Sequence, residues 1–219
     1  MIIELTPKQL KQCIEFSYES AKNQQEIEFG QSDTKPRSKD EIARDNLIGK
    51  VAEVAFSNML EERFCIKVAL DFEYYPRGIW DNYDAEINGW RIDVKGTRQG
   101  GKWLLIEWSK LKFRQQEGKL AHLYVASSVF WDREKDVPTG KVDVVGCVSI
   151  LRLRPHVKDT LVLRKGDYIP NTKMRLQADN YAIHFNNLEK DWTKVINYVF
   201  QNDPPDVSNY PNPYELNGG

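Results

Sequence analysis

The chain has 219 residues, 41% hydrophobic and 29% charged, a globular composition long enough to bury a sizeable core. Lysine and arginine number 31 against 32 aspartates and glutamates, for a net charge of −1, so any affinity for a polyanion must come from local charge. No apolar run approaches the roughly 20 residues that cross a bilayer. The opening MIIELTPKQLKQ lacks a secretory pattern, and Cys13, Cys65 and Cys147 form no CxxC pair. These features lead to the expectation of a cytoplasmic protein with reduced thiols and no membrane partner.

Thr6-Pro7 starts a helix predicted to reach about Glu28, with Leu10, Cys13, Ile14, Tyr18 and Ala21 at helical spacing. Gly30 to Arg37 reads as a polar loop. Ser38 to Glu41 has the form of a capping box and opens a second helix to about Arg63. Its small residues Gly49, Ala52, Ala55 and Ser57 would let another element approach closely. Strands are predicted at 65–72, 83–87, 90–94, 103–108, 120–130 and 142–153, with shorter ones near Leu161 and at 181–185. A last helix is expected at about 188–200. The reading draws one domain over 1–203 and a Pro/Asn/Gly-rich tail over 204–219, either mobile or lying on the surface. Helices ahead of a mostly stranded body indicate an α/β or α+β domain with a helix-covered sheet.

Asn88-Gly89 is a strong hairpin signal. A two-residue turn there pairs Ile87 with Trp90, Glu86 with Arg91, Ala85 with Ile92 and Asp84 with Asp93. Side chains alternate along a strand, so Tyr83, Ala85, Ile87, Trp90, Ile92 and Val94 share an apolar face. Asp84, Glu86, Arg91, Asp93 and Lys95 share a charged one. Two aspartates directly opposite one another repel, by up to roughly 1 kcal/mol. A divalent cation between them would turn that repulsion into binding. Glu86 reads as a partner of Arg91, and Asp81 is a rival for the first carboxylate.

Asp84 followed by Asp93-Val94-Lys95 resembles the acidic pair and D-x-K signature of the PD-(D/E)XK nuclease superfamily, and Gly49-Lys50-Val51-Ala52-Glu53 resembles its G-x-x-A-E helix motif. The resemblance covers about Ile42 to Val129. Tyr83 stands where the pattern has Pro. The implied fold is a restriction-endonuclease-like α/β core, a central mixed sheet flanked by helices. The implied activity is phosphodiester hydrolysis, most directly by a DNA endonuclease. Asp84, Asp93 and the Val94 carbonyl would hold Mg²⁺, with Mn²⁺ as a substitute. Glu53 would bind a second ion or a metal-bound water, and Lys95 would orient the attacking water or stabilise the scissile phosphate.

Local charge agrees with a polyanion partner. From Arg91 to Lys119 there are eight basic residues against three acids. Arg98, Gln99, Lys102, Lys110, Lys112 and Arg114 are the expected nucleic-acid contacts, although Gln99 also reads as a plain loop residue. His122, His156 and His184 lack metal-ligand spacing. The competing expectations are an RNA-directed nuclease and a catalytically inactive module binding nucleic acid or protein. The segment after Leu151 would contact substrate, support a homodimer or complete the core.

Overall fold

Two capped helices follow a three-residue strand at the start of the chain. The computed structural model describes residues 1–25, 38–74, 83–155, 157–208 and 210. Its elements are β1 (Ile2–Glu4), α1 (Pro7–Gln25), α2 (Lys39–Phe64), β2 (Ala85–Ile87), β3 (Trp90–Arg98), β4 (Trp103–Glu107), α3 (Trp108–Gln116), β5 (Leu123–Asp132), β6 (Val137–Ser149), β7 (Thr160–Leu163), β8 (Asn180–His184) and α4 (Trp192–Gln201). The class is mixed α/β. Among the described residues no helix is long and apolar enough to cross a membrane.

Local chemistry sets the helix ends. Thr6 Oγ1 accepts from the Gln9 main chain at 3.2 Å, while the Gln9 side chain accepts from the Thr6 main chain at 2.9 Å. Ser38 and Glu41 form the expected reciprocal box. Cys65 ends α2 in the left-handed conformation, with φ 55°. The stretch after it keeps an alternating exposure, but it forms no strand. Alternation alone does not make a strand without a neighbouring ladder to join. Asp191 caps α4 through the Lys194 N–H at 3.1 Å, so that helix begins later than its apolar pattern suggested.

Two compact units are built from interleaved segments. One comprises Met1–Ala85, Val94–Gly101 and Ala126–Val145; the other comprises Glu86–Asp93, Lys102–Val125 and Gly146–Gly219. Five strands follow the order β1-β6-β5-β3-β2, and three follow β4-β8-β7. The His122 N–H donates to the Arg91 carbonyl and the Gln99 N–H to that of Val129, so β3 and β5 run parallel.

In the first unit, α1 and α2 run antiparallel. Gln9 exchanges amide hydrogen bonds with Asn58, and Ala21 packs on Ile42 and Ala43. Helix α2 lies against β3. A Cβ added to Gly96 would sit 2.6 Å from the Ile48 carbonyl and 3.0 Å from the Ala52 Cβ, so the close approach expected of α2 is made there. Gly49 plays no such part: a Cβ there meets nothing within 4 Å.

In the second unit, β7 and β8 complete a sheet with β4, so part of the segment after Leu151 serves the core. The start of the expected tail is held to the surface. Val207 and Tyr210 are 7% and 3% exposed, and the Gln115 amide donates to the Tyr210 carbonyl. Residues 211–219 and the expected loop at 30–37 lie outside the described residues.

Gly96→Ala should destabilise the protein by about 1–3 kcal/mol through overpacking. Gly49→Ala, in an open helical position, should stabilise it by up to about 1 kcal/mol. Urea unfolding of both variants checks the pair, and equal shifts would contradict this packing.

Candidate functional site

Most of the candidate site residues sit on or beside the β2–β3 hairpin, which depends on its turn. Asn88 and Gly89 have φ of 49° and 77°, as a two-residue turn of this hand requires. Trp90, Ile92 and Val94 are buried, whereas Arg91, Asp93 and Lys95 are half-buried, so the expected alternation holds on β3. On β2, Ala85 and Ile87 are buried and Glu86 is exposed.

The ladder ends at Ala85 for a specific reason. Antiparallel pairing would next carry the Val94 N–H to the Tyr83 carbonyl. Instead that N–H donates to Asp84 Oδ2. The Asp84 carboxylate therefore grips the main chain of β3 between Asp93 and Lys95. Main-chain groups of one residue point to the same side of a strand, so the Val94 carbonyl faces the same edge. Lys95 alternates with Gly96 and leaves β3 on the side away from α2.

Glu53 forms an ion pair within its own helix. Its carboxylate takes the ammonium of Lys50, one helical turn earlier. Lys50 is only 4% exposed, and Glu53 15%. Lys50 also donates to the Asp71 carbonyl at 2.7 Å and lies 4.6 Å from the Phe16 ring centre and 5.4 Å from that of Phe72. Burial pushes the neighbouring Cys13 thiol up to about 12; the Lys50 charge opposes that shift and the Glu53 charge adds to it. Cys13 is therefore a packing thiol, not a nucleophile. Asp81, the rival ligand, lies outside the described residues. Among those residues no group of three or more His, Cys, Asp or Glu side chains could hold a metal ion.

The basic residues divide between the two units. In the first, Arg98 lies over the Trp131 ring at 4.0 Å, with Nη2 3.4 Å from Asp136 Oδ1. Asp136 also accepts from Trp131 Nε1 at 2.9 Å and from Arg44 at 2.6 Å. The Trp131 hydrogen bond, with both guanidiniums, holds its carboxyl below the usual range. Gln99 sits in the turn after β3, its N–H on the Val129 carbonyl at 2.9 Å. In the second unit, Lys102 is exposed just before β4, and Lys110, also exposed, lies 3.6 Å from Glu107. On α3, Lys110 and Arg114 share a side at i,i+4 spacing, and Lys112 leaves from another. The three form no single basic stripe.

Arg91 reaches the end of α3 and the His122 ring. Its guanidinium donates to the Gly118 carbonyl and lies 3.2 Å from His122 Nε2. Burial, assisted by the Arg91 charge and opposed by Glu86, pulls His122 down to about 4. No family model, curated protein or solved structure matches the chain.

Sequence reasoning missed Lys50 and the Arg91–His122 contact. The signal for Lys50 was its place in the apolar stripe Leu47, Val51, Val54. Two predictions follow from these groups. Glu53→Gln, which leaves a buried ammonium facing a neutral amide, should cost about 3 kcal/mol, and adding Lys50→Met should restore most of it. A double-mutant cycle in urea measures that coupling, and a value near zero would contradict the pair. His122 is neutral in the fold but protonates near pH 6.5 when unfolded. Its contribution is thus complete above that pH and should be lost, by up to about 3 kcal/mol, as pH falls towards 4. Stability against pH should be flatter in His122→Gln.

Proposed function

We propose that this chain is a divalent-metal-dependent nuclease of the PD-(D/E)XK kind, with a restriction-endonuclease-like core, acting on DNA. The observation that carries the reading is the Val94 N–H bond to Asp84, which draws the first acid onto the D-x-K tripeptide. The donor set suits a hard cation: two carboxylates and a main-chain carbonyl, all oxygen. Asp84, Asp93 and Val94 would hold Mg²⁺ or Mn²⁺, which when bound supplies Lewis-acid polarisation and an activated water. Lys95 stabilises negative charge on the scissile phosphate and orients the attacking water. Glu53 is left out of that set because Lys50 occupies its carboxylate. Arg98, Lys102, Lys110, Lys112 and Arg114 contribute charge for the nucleic-acid backbone.

The Lys50–Glu53 pair also favours a second reading, a binding module of the same fold without catalysis. Plasmid, linear DNA and RNA incubated with Mg²⁺, Mn²⁺ or chelator separate the two. The nuclease reading expects metal-dependent cutting that drops about 10²–10³-fold in Lys95→Ala while binding survives. It also expects a Mg²⁺-induced rise in melting temperature that shrinks in Asp84→Asn. A wild type that binds DNA and never cuts, with Lys95→Ala behaving identically, would establish the binding module. Cutting confined to RNA would reassign the substrate.

A further inference from the structure

The second unit contains a pocket in which two hydrogen-bond donors face each other. Helix α3 ends in a glycine cap: Gly118, at φ 67°, donates to the Gln115 carbonyl at 3.0 Å and Lys119 to that of Arg114 at 2.8 Å. The Gly118 carbonyl, left over by that cap, takes Arg91 Nη1. Arg91 Nη2 then lies 3.2 Å from His122 Nε2. On the other side of the ring, the Arg91 main-chain N–H donates to His122 Nδ1 at 2.9 Å. That bond needs a lone pair on Nδ1, so the neutral imidazole carries its one proton on Nε2. A guanidinium can only donate. Two N–H groups therefore converge, with no acceptor of the described residues between them, on a ring that is 4% exposed. Burial keeps that ring neutral at pH 7.

The space beside them holds about 190 Å³ and is lined by Arg91, Gln115, Leu120, His122, Pro205 and Asp206, among others. That is below the 300–1,000 Å³ of sites for whole drug-sized ligands, so the occupant is a single group or ring. Charge argues against phosphate. The Arg91 cation is opposed by the carbonyl end of α3, by Asp206 on the pocket wall, and by Glu86, which acts on His122. A neutral ring with two adjacent acceptors fits better, and guanine N7 and O6 are such a pair, the usual partner of an arginine fork. Leu120 and Pro205 supply apolar walls, and Asp206 supplies an acceptor for the N–H groups of the base.

We propose that this pocket takes one unpaired guanine base of a polynucleotide, read through N7 and O6 by Arg91 and His122. The proposal rests on the nucleic-acid part of the functional reading and not on cleavage. Its test is binding of labelled single-stranded DNA decamers to the full chain, with chelator present and salt fixed. One decamer carries a single guanine, a second carries 7-deazaguanine in its place, and a third carries adenine. The guanine decamer should bind about 5- to 100-fold more tightly than the other two. Arg91→Gln should abolish that margin while still binding all three, and His122→Gln, which keeps a donor, should retain part of it. Equal binding of the three decamers overturns the proposal and leaves the nucleic-acid reading intact. Equal binding displaced by inorganic phosphate makes the pocket a phosphate site. Failure of every decamer to bind overturns the proposal, and plasmid, linear DNA and RNA binding then decides the nucleic-acid reading separately. The deazaguanine comparison uses the wild-type protein, so it decides the matter even if a variant fails to fold.

Discussion

The turn at Asn88–Gly89 fixes the register on which the candidate chemistry depends. Both residues sit at positive φ, which lets two strands meet with their natural twist and no spare residue. A slip of one position would exchange the faces of β3, sending Asp93 and Lys95 into the core and Ile92 and Val94 outward. Burying two charges would cost far more than any local gain. The apolar face thus enforces the placement of the polar one. Asp84 adds a second lock, because its carboxylate replaces a carbonyl in the ladder.

The polar groups of α2 pose a different problem. A lysine in the apolar stripe of a helix must bring its counter-charge with it, and Lys50 does so through Glu53, the Asp71 carbonyl and two aromatic rings. Such a set is costly to leave half complete, so the pair behaves as one unit. The glutamate that the helix motif would offer to a metal is the one that neutralises the buried lysine.

What could be read in advance follows from the range of the interactions involved. The hairpin, the capping box at Ser38 and the alternation on β3 are local, and residue identity within a few positions determines them. The stretch after Cys65 has the alternation of a strand without a partner, which no local pattern reveals. β1 is three residues long, too short to leave a periodic signal, and exists because β6 pairs with it. The charge of Arg98 is legible in the sequence, but its contacts with Trp131 and Asp136, more than thirty residues away, are not. The tautomer of His122 depends on a main-chain N–H of β3, equally invisible before the strands are placed.

Interleaving of the two units bears on how the chain can be made. The first unit is incomplete until Ala126–Val145 has been synthesised, by which time Glu86–Asp93 and all of Lys102–Val125 already exist. No single cut in the sequence separates one unit from the other, so a fragment ending at any one point carries an unfinished core. Non-local pairing of this kind slows folding and lengthens the time apolar surface stays exposed. During synthesis α1 and α2 are the elements that can pack early, since their contacts lie within the first 64 residues.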